Sequence, residues 1–253
     1  MTDSDSYLAS ILARHSVDAS AGSPLRSVQA SIAPIIARWG GNAVLDIRPS
    51  GSFAKGTAVR GGTDIDLFVS LSSTVNNTLE EIYTTLYRAI ADAGHLPRRQ
   101  NVSIGLSLNG WKVDVTPGRR QDQYGNYHSL WSNKNQGWLQ TNINEHINLV
   151  SNSGRADEIK LLKIWRNKLG LEWPSFYLEL FTINALYGAR KGNLAQNVSK
   201  VLAQIVQSID RRRLIDPSNT NNIVSNSLTP NEKAILIKNA HSALLGRWGD
   251  LYQ

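Results

Sequence analysis

The chain contains no cysteine, which excludes disulfides, thiolate zinc sites, iron–sulfur clusters and a cysteine nucleophile before any motif is sought. No apolar run approaches the roughly 20 residues that a membrane helix requires. The first residues, Met1 to Ser6, are polar and acidic rather than basic and then apolar. The expectation is a soluble, unexported, cytoplasmic protein with no membrane partner. Internal repeats and low-complexity tracts are also lacking, which excludes solenoids and disordered arrays. The five histidines, His15, His95, His128, His146 and His241, have no metal-ligand spacing.

What is present is an ordinary globular composition. With 253 residues, 41% of them hydrophobic and 19% charged, the chain can bury a sizeable core unaided by staples. The formal net charge is +7, a balance that either draws polyanions such as nucleotides or nucleic acid or simply keeps the protein soluble.

Apolar spacing divides the chain into a mixed front half and a helical back half. A short helix at Tyr7 to His15 precedes a helix from Pro24 to Trp39 that carries Leu25, Val28, Ile32, Ile35 and Ile36 on one face and stops at Gly40-Gly41. Ala43 to Arg48 and Ile65 to Leu71 read as strands, and Leu79, Ile82, Leu86 and Ile90 mark a helix ended by Gly94. Val102 to Leu108 and Trp111 to Val115 flank Asn109-Gly110, a dipeptide that tolerates the positive φ of a two-residue hairpin turn. Gln121 to Asn152 is polar with little periodicity and reads as a long ordered connection. Helices return at Ala156 to Leu169, at Ser175 to about Tyr187 and around Val198, Leu202, Ile205 and Ile209. A last helix opens at Thr229-Pro230-Asn231-Glu232, where cap, proline and capping-box glutamate agree. Asn219 to Ser227 reads as a loop between these last two. Arg211-Arg212-Arg213 follows a helix end, where cations complement the dipole.

Chemistry concentrates at Gly51-Ser52-Phe53-Ala54-Lys55-Gly56-Thr57 and at Asp64-Ile65-Asp66. Residues i and i+2 of a strand share a face, so Asp64 and Asp66 stand side by side at the start of the second strand. Two adjacent carboxylates repel unless they share a proton or hold a divalent metal, and hard oxygen donors favour Mg²⁺ or Mn²⁺. Gly51-Ser52 ends a strand where backbone N–H groups and a hydroxyl can grip phosphate oxygens. Asp114, in Trp111-Lys112-Val113-Asp114-Val115, alternates with apolar residues on the hairpin strand. If the register is right, it joins the other two acids. Three acids with two hard metal ions suit phosphoryl or nucleotidyl transfer.

The order Gly-Ser, eleven residues, Asp-x-Asp and a later lone Asp resembles the DNA polymerase β-like nucleotidyltransferase superfamily. The fuller Gly51-to-Thr57 and Asp64-to-Asp66 pattern is similar to the branch of archaeal CCA-adding enzymes, oligoadenylate synthetases and bacterial relatives of cyclic GMP-AMP synthase, the CD-NTases. Val113-Asp114-Val115-Thr116-Pro117, Gly137-Trp138-Leu139-Gln140-Thr141-Asn142, Leu162-Lys163-Ile164-Trp165 and Ser175-Phe176-Tyr177-Leu178-Glu179-Leu180 continue the resemblance in order. Ile143 departs from it, standing where the bacterial synthases often have proline.

The resemblance implies an α+β fold: a polymerase β-like palm, with a mixed, largely antiparallel sheet, over residues 1–150, and a helical nucleotide-binding domain over 151–253 that closes the donor site. It implies that Asp64 and Asp66 hold two Mg²⁺ or Mn²⁺ ions and that Asp114 binds one of them and activates the acceptor hydroxyl. It also implies nucleotide contacts from Gly51, Ser52, Lys55, Lys163 and Ser175, with Tyr177 stacking on the donor base. Read without the resemblance, Lys163 lies on a solvated helix face beside Lys160 and Lys168, and Trp131, Trp138 and Trp165 are core or loop anchors. The expected substrates are ATP or other NTPs, and the expected product is a cyclic or linear oligonucleotide signal of the bacterial antiviral type. The alternatives are an enzyme that tails tRNA or other RNA, with RNA as acceptor or activator, a protein-modifying toxin, and an inactive binding module.

Overall fold

A computed structural model describes residues 2–17, 23–62 and 64–252. In chain order its elements are α1 (Asp3–Arg14), α2 (Pro24–Gly40), β1 (Val44–Pro49), α3 (Gly51–Ala54), β2 (Ile65–Leu71), α4 (Leu79–Asp92), β3 (Arg98–Arg99), β4 (Ile104–Leu108) and β5 (Trp111–Arg120). There follow β6 (His128–Ser132), β7 (Gly137–Thr141), α5 (Ile143–Ser151), α6 (Ala156–Lys168), α7 (Ser175–Ala185), α8 (Leu194–Ser208), β8 (Ile215–Asp216), β9 (Asn219–Ile223), α9 (Pro230–Leu245) and α10 (Trp248–Tyr252). The fold is α+β, as the resemblance implied.

The chain forms two compact units. One comprises residues 18–55 and 64–147, the other residues 1–17, 56–63 and 148–253. One division falls within α5, between residues 147 and 148. Beyond that cut, α1 and the segment between the Gly-Ser motif and the Asp-x-Asp motif belong with the helical back half.

The first unit is built on a seven-stranded sheet in the order β1-β2-β5-β4-β3, extended by β6 on β5 and β7 on β6. Among the described residues, only the β2–β5 pair is parallel. Alternation assigns β2 two buried faces. Ile65, Leu67, Val69 and Leu71 pack with Val28, Ile32 and Ile36 of α2 and with Ile82, Leu86 and Ile90 of α4. Phe68 turns the other way, against Leu130 and Ile143. Asn109 and Gly110 take φ of 53° and 78°, the two left-handed residues of the hairpin that brings β4 onto β5.

The second unit is a helical assembly whose core joins α1, α6, α7, α8, α9 and α10 around Trp165, Trp173, Tyr177 and Phe181. Its helices are cut by chemistry already visible in the chain. Thr229 caps α9 in a reciprocal capping box with Glu232, and Pro230 occupies the first turn.

Two expected connections turn out to be structured. The polar stretch 121–152 holds the β6–β7 hairpin, with Trp131 directly opposite Trp138, and then α5. Residues 219–223, expected as loop, form β9 against β8. The strands among them owe their order to cross-strand pairing, and such short, polar runs carry too weak an apolar alternation to announce it.

Candidate active site

The acids stand on the sheet face opposite α2 and α4. Asp66 follows Ile65 and precedes Leu67, both fully buried beneath those helices, so the pleat turns its carboxylate to the far side. Parallel pairing then sets Asp66 directly opposite Asp114, and paired residues on adjacent strands project to one face. Asp64 lies one residue before the strand and is exposed. Its negative charge reaches Asp114, whose carboxyl is held above the ordinary carboxylate range by burial first and by Asp64 second. Two carboxylates are thus in register, and a third is close enough to disfavour ionisation of its neighbour.

Among the described residues, no three carboxylate or histidine side chains enclose a point as a metal cage does. The fit to a divalent ion lies in the donor set: hard oxygens, like charges crowded on one face, and no competing imidazole or thiolate. Asp64, Asp66 and Asp114 are the residues that would hold such ions.

Gly51 explains its own identity. Its φ is +56°, and a Cβ there would lie 1.8 Å from Oδ2 of Asp66, so only glycine lets the Gly-Ser turn close onto the acid. The turn continues into the four-residue α3, where Ser52 is partly exposed and Lys55 is buried with its N–H bonded to the carbonyl of Gly51. Ser50 N–H donates to the carbonyl of Asp66 at 2.8 Å, fixing the turn to β2.

Asp114 has a partner that no motif announced. The amide Nε2 of Gln100 donates to Oδ1 of Asp114 at 2.9 Å, and Ser103 Oγ donates to Oε1 of Gln100 at 2.7 Å. A lone glutamine in a polar turn has no spacing signal by which sequence could find it.

In the helical unit, Lys163 departs from its expected place. It is 2% exposed, and its ammonium donates to Oε1 of Glu179 at 2.7 Å, to Oγ1 of Thr57 at 2.9 Å and to the carbonyl of Thr57 at 3.4 Å. The Thr57 hydroxyl in turn donates to Glu179 at 3.0 Å. The expected solvated face is therefore a buried ion pair that fastens residues 56–63 to α6 and α7. Glu179 and Thr57 lie within the quoted motifs, but their pairing is three-dimensional.

Ser175 is exposed at the first turn of α7, and Arg166 donates to its hydroxyl at 3.1 Å and to the carbonyl of Trp173 at 2.7 Å. Tyr177 is a correction. Its ring is fully buried, edge-on to Trp173 and Phe181. Its hydroxyl donates to the carbonyl of Ile209 at 3.4 Å, and burial pushes its pKa up to about 12. α7 is buried without interruption from Tyr177 to Thr182, so no ring face is open to a base. The neighbouring Phe176 keeps part of its surface exposed.

The family described as "Nucleotidyltransferase domain" matches residues 32–117, a stretch that includes the Gly-Ser turn and all three acids. Over 194 residues the chain is 25% identical to the cyclic AMP-AMP-AMP synthase of Escherichia coli strain MS 115-1, covering 68% of this chain and 60% of that protein. The chain therefore spans less than two thirds of that relative's length. It is 22% identical to E. coli MS115-1 CdnC, solved with ATP, at a TM-score of 0.69 over 86% of this chain and 81% of that one. For Bradyrhizobium diazoefficiens CD-NTase CdnG, solved in complex with GTP, identity is 14% and the TM-score 0.75, over 96% and 90% of the two chains. At such identities the structural likeness speaks for the fold.

Proposed function

We propose that this chain, whose residues 32–117 match the nucleotidyltransferase domain family and whose fold is that of the CD-NTases, transfers a nucleoside monophosphate from ATP or another NTP to a ribose hydroxyl of a second nucleotide. Pyrophosphate leaves, and the product is a cyclic or linear oligonucleotide signal made in the cytoplasm. The observation that carries this reading is the register pairing of Asp66 with Asp114, with Asp64 close enough to act on Asp114 electrostatically.

Two Mg²⁺ or Mn²⁺ ions, when bound, would supply activation of the attacking hydroxyl and charge neutralisation at the leaving pyrophosphate. Asp64 and Asp66 would hold them with Asp114. Asp114, whose proton affinity is raised by burial and by Asp64, would accept the hydroxyl proton. Gly51 and Ser52 would orient phosphate oxygens, with Lys55 behind them. Ser175, already accepting a hydrogen bond from Arg166, would turn its own O–H toward the triphosphate. The stacking role passes from Tyr177 to Phe176, the half-exposed aromatic beside Ser175.

The test is incubation of the protein with mixed labelled NTPs and Mg²⁺, without nucleic acid, followed by mass spectrometry. A nucleotide-only oligomer and pyrophosphate are expected from the wild type, and neither from Asp64→Ala with Asp66→Ala. The net charge of +7 favours a second reading, tailing of tRNA or other RNA. A product formed only when RNA is present, and attached to it, would replace the first reading by the second.

A further inference from the structure

We infer that Gln100 is the positioning residue for Asp114, aiming the third acid through a hydrogen-bonded relay that begins at Ser103. The inference rests on the reading of Asp114 as the acid that serves metal and acceptor, and it adds a residue to that site.

The relay is built rather than incidental. Gln100 sits in the turn between β3 and β4, and every polar group around it is anchored. Its backbone N–H donates to the Tyr83 hydroxyl at 3.1 Å and to the carbonyl of Ser103 at 3.1 Å. The Tyr83 hydroxyl in turn donates to the carbonyl of Ser103 at 2.9 Å. Asn133, from the end of the β6–β7 hairpin, donates to the carbonyl of Gln100 at 2.7 Å. The side chain is fixed at both ends, by Ser103 at Oε1 and by Asp114 at Nε2. An amide held this way cannot rotate without breaking one bond or the other, and the donor end is the end that meets the carboxylate.

Gly105 provides the passage. It is the antiparallel register partner of Asp114 on β4, and a Cβ there would meet Gln100 Nε2 at 2.5 Å and Asp114 Oδ1 at 3.2 Å. Its φ is not in the left-handed region, so the need for glycine here is one of space alone. The missing side chain is what lets Gln100 cross β4 to the acid. With Oδ1 engaged by Gln100, the carboxylate plane of Asp114 is set and Oδ2 is presented in a defined direction. Partners that orient metal-binding carboxylates typically govern about 10- to 100-fold in metal affinity or activity.

The experiment compares wild type with Gln100→Leu and Ser103→Ala in the full chain. The readouts are pyrophosphate release with the NTP pool and, independently, Mn²⁺ binding followed by electron paramagnetic resonance of the free ion. Gln100→Leu is expected to lower kcat and weaken Mn²⁺ binding by about tenfold, with KM for the donor NTP within about twofold. A purely structural loss would instead lower the folded fraction and leave the remaining molecules unaltered. Ser103→Ala, which keeps Gln100 but frees its oxygen, is expected to move both readouts in the same direction by a smaller factor, and it serves as the test where Gln100→Leu does not fold. Folded variants with wild-type kcat and wild-type Mn²⁺ affinity overturn the inference. A wild type that turns over no NTP, yet loses Mn²⁺ affinity on Gln100→Leu, would overturn the proposed function and leave the positioning role standing.

Discussion

At the scale of single residues, the site depends on atoms that are missing as much as on those present. Gly51 is held at positive φ with Asp66 filling the space of its absent Cβ, so Gly51→Ala must displace the acid or the turn. The expected result is a fall in kcat of about a hundredfold, the scale of a 1 Å misplacement of a catalytic group, measured as pyrophosphate release. Full activity in this variant would refute the close approach. Lys163 poses the opposite case. Burial with Glu179 and Thr57 makes it a strut, and Lys163→Met strands a carboxylate in the interior, at a cost of about 3 to 5 kcal/mol. Urea denaturation should register that loss, and adding Glu179→Leu should restore most of it. A Lys163→Met protein as stable as wild type but deficient in NTP binding would return the lysine to the phosphate-contacting role its motif implied.

At the scale of elements, the helices that carry clear start and stop signals are the ones the sequence announces best. Thr78 and Glu81 form a reciprocal capping box at α4, with the hydroxyl accepting at 3.1 Å and the carboxylate at 2.8 Å. Because α4 backs the sheet through Ile82, Leu86 and Ile90, Thr78→Ala should destabilise the sheet unit by about 1 kcal/mol with kcat unchanged, as read by denaturation and turnover assays. An unchanged denaturation midpoint would deny the cap its contribution. The strands β6, β7 and β9 had no comparable signal. Their residues are polar, Asn-rich or alternately exposed, and they are strands because a partner lies alongside.

At the scale of the molecule, stability should follow pH through His128. This residue is fully buried against Phe68. It is bonded to Ser70 Oγ at 2.8 Å and to the carbonyl of Asn126 at 2.9 Å. Burial lowers its pKa from 6.5 to about 4. The unfolded chain therefore binds the proton first on acidification. Stability from the neutral ring is complete above about pH 6.5 and is lost progressively down to about pH 4, a contribution of roughly 2 to 3 kcal/mol. Protection factors of the β6 amides, each taken against the intrinsic exchange rate at its own pH, should fall from pH 7 to pH 4.5, and His128→Gln should flatten that dependence. An unaltered slope in His128→Gln would place the acid sensitivity elsewhere.

The sequence alone determined the acids, the Gly-Ser turn, the Asn109-Gly110 hairpin and the starts of helices with clear caps such as α9, because each is written in neighbouring residues whose spacing or backbone preference acts locally. It also placed Ser175 at a helix start. Tertiary structure alone decided that Asp66 and Asp114 are partners, since a parallel register is fixed by packing between segments distant in the chain. The same long-range packing buried Tyr177 and enclosed Lys163 with Glu179, neither of which adjacent residues announce. It also brought Gln100 through the gap at Gly105 to Asp114, a contact that depends on the space between two strands and has no trace in the order of residues along either one.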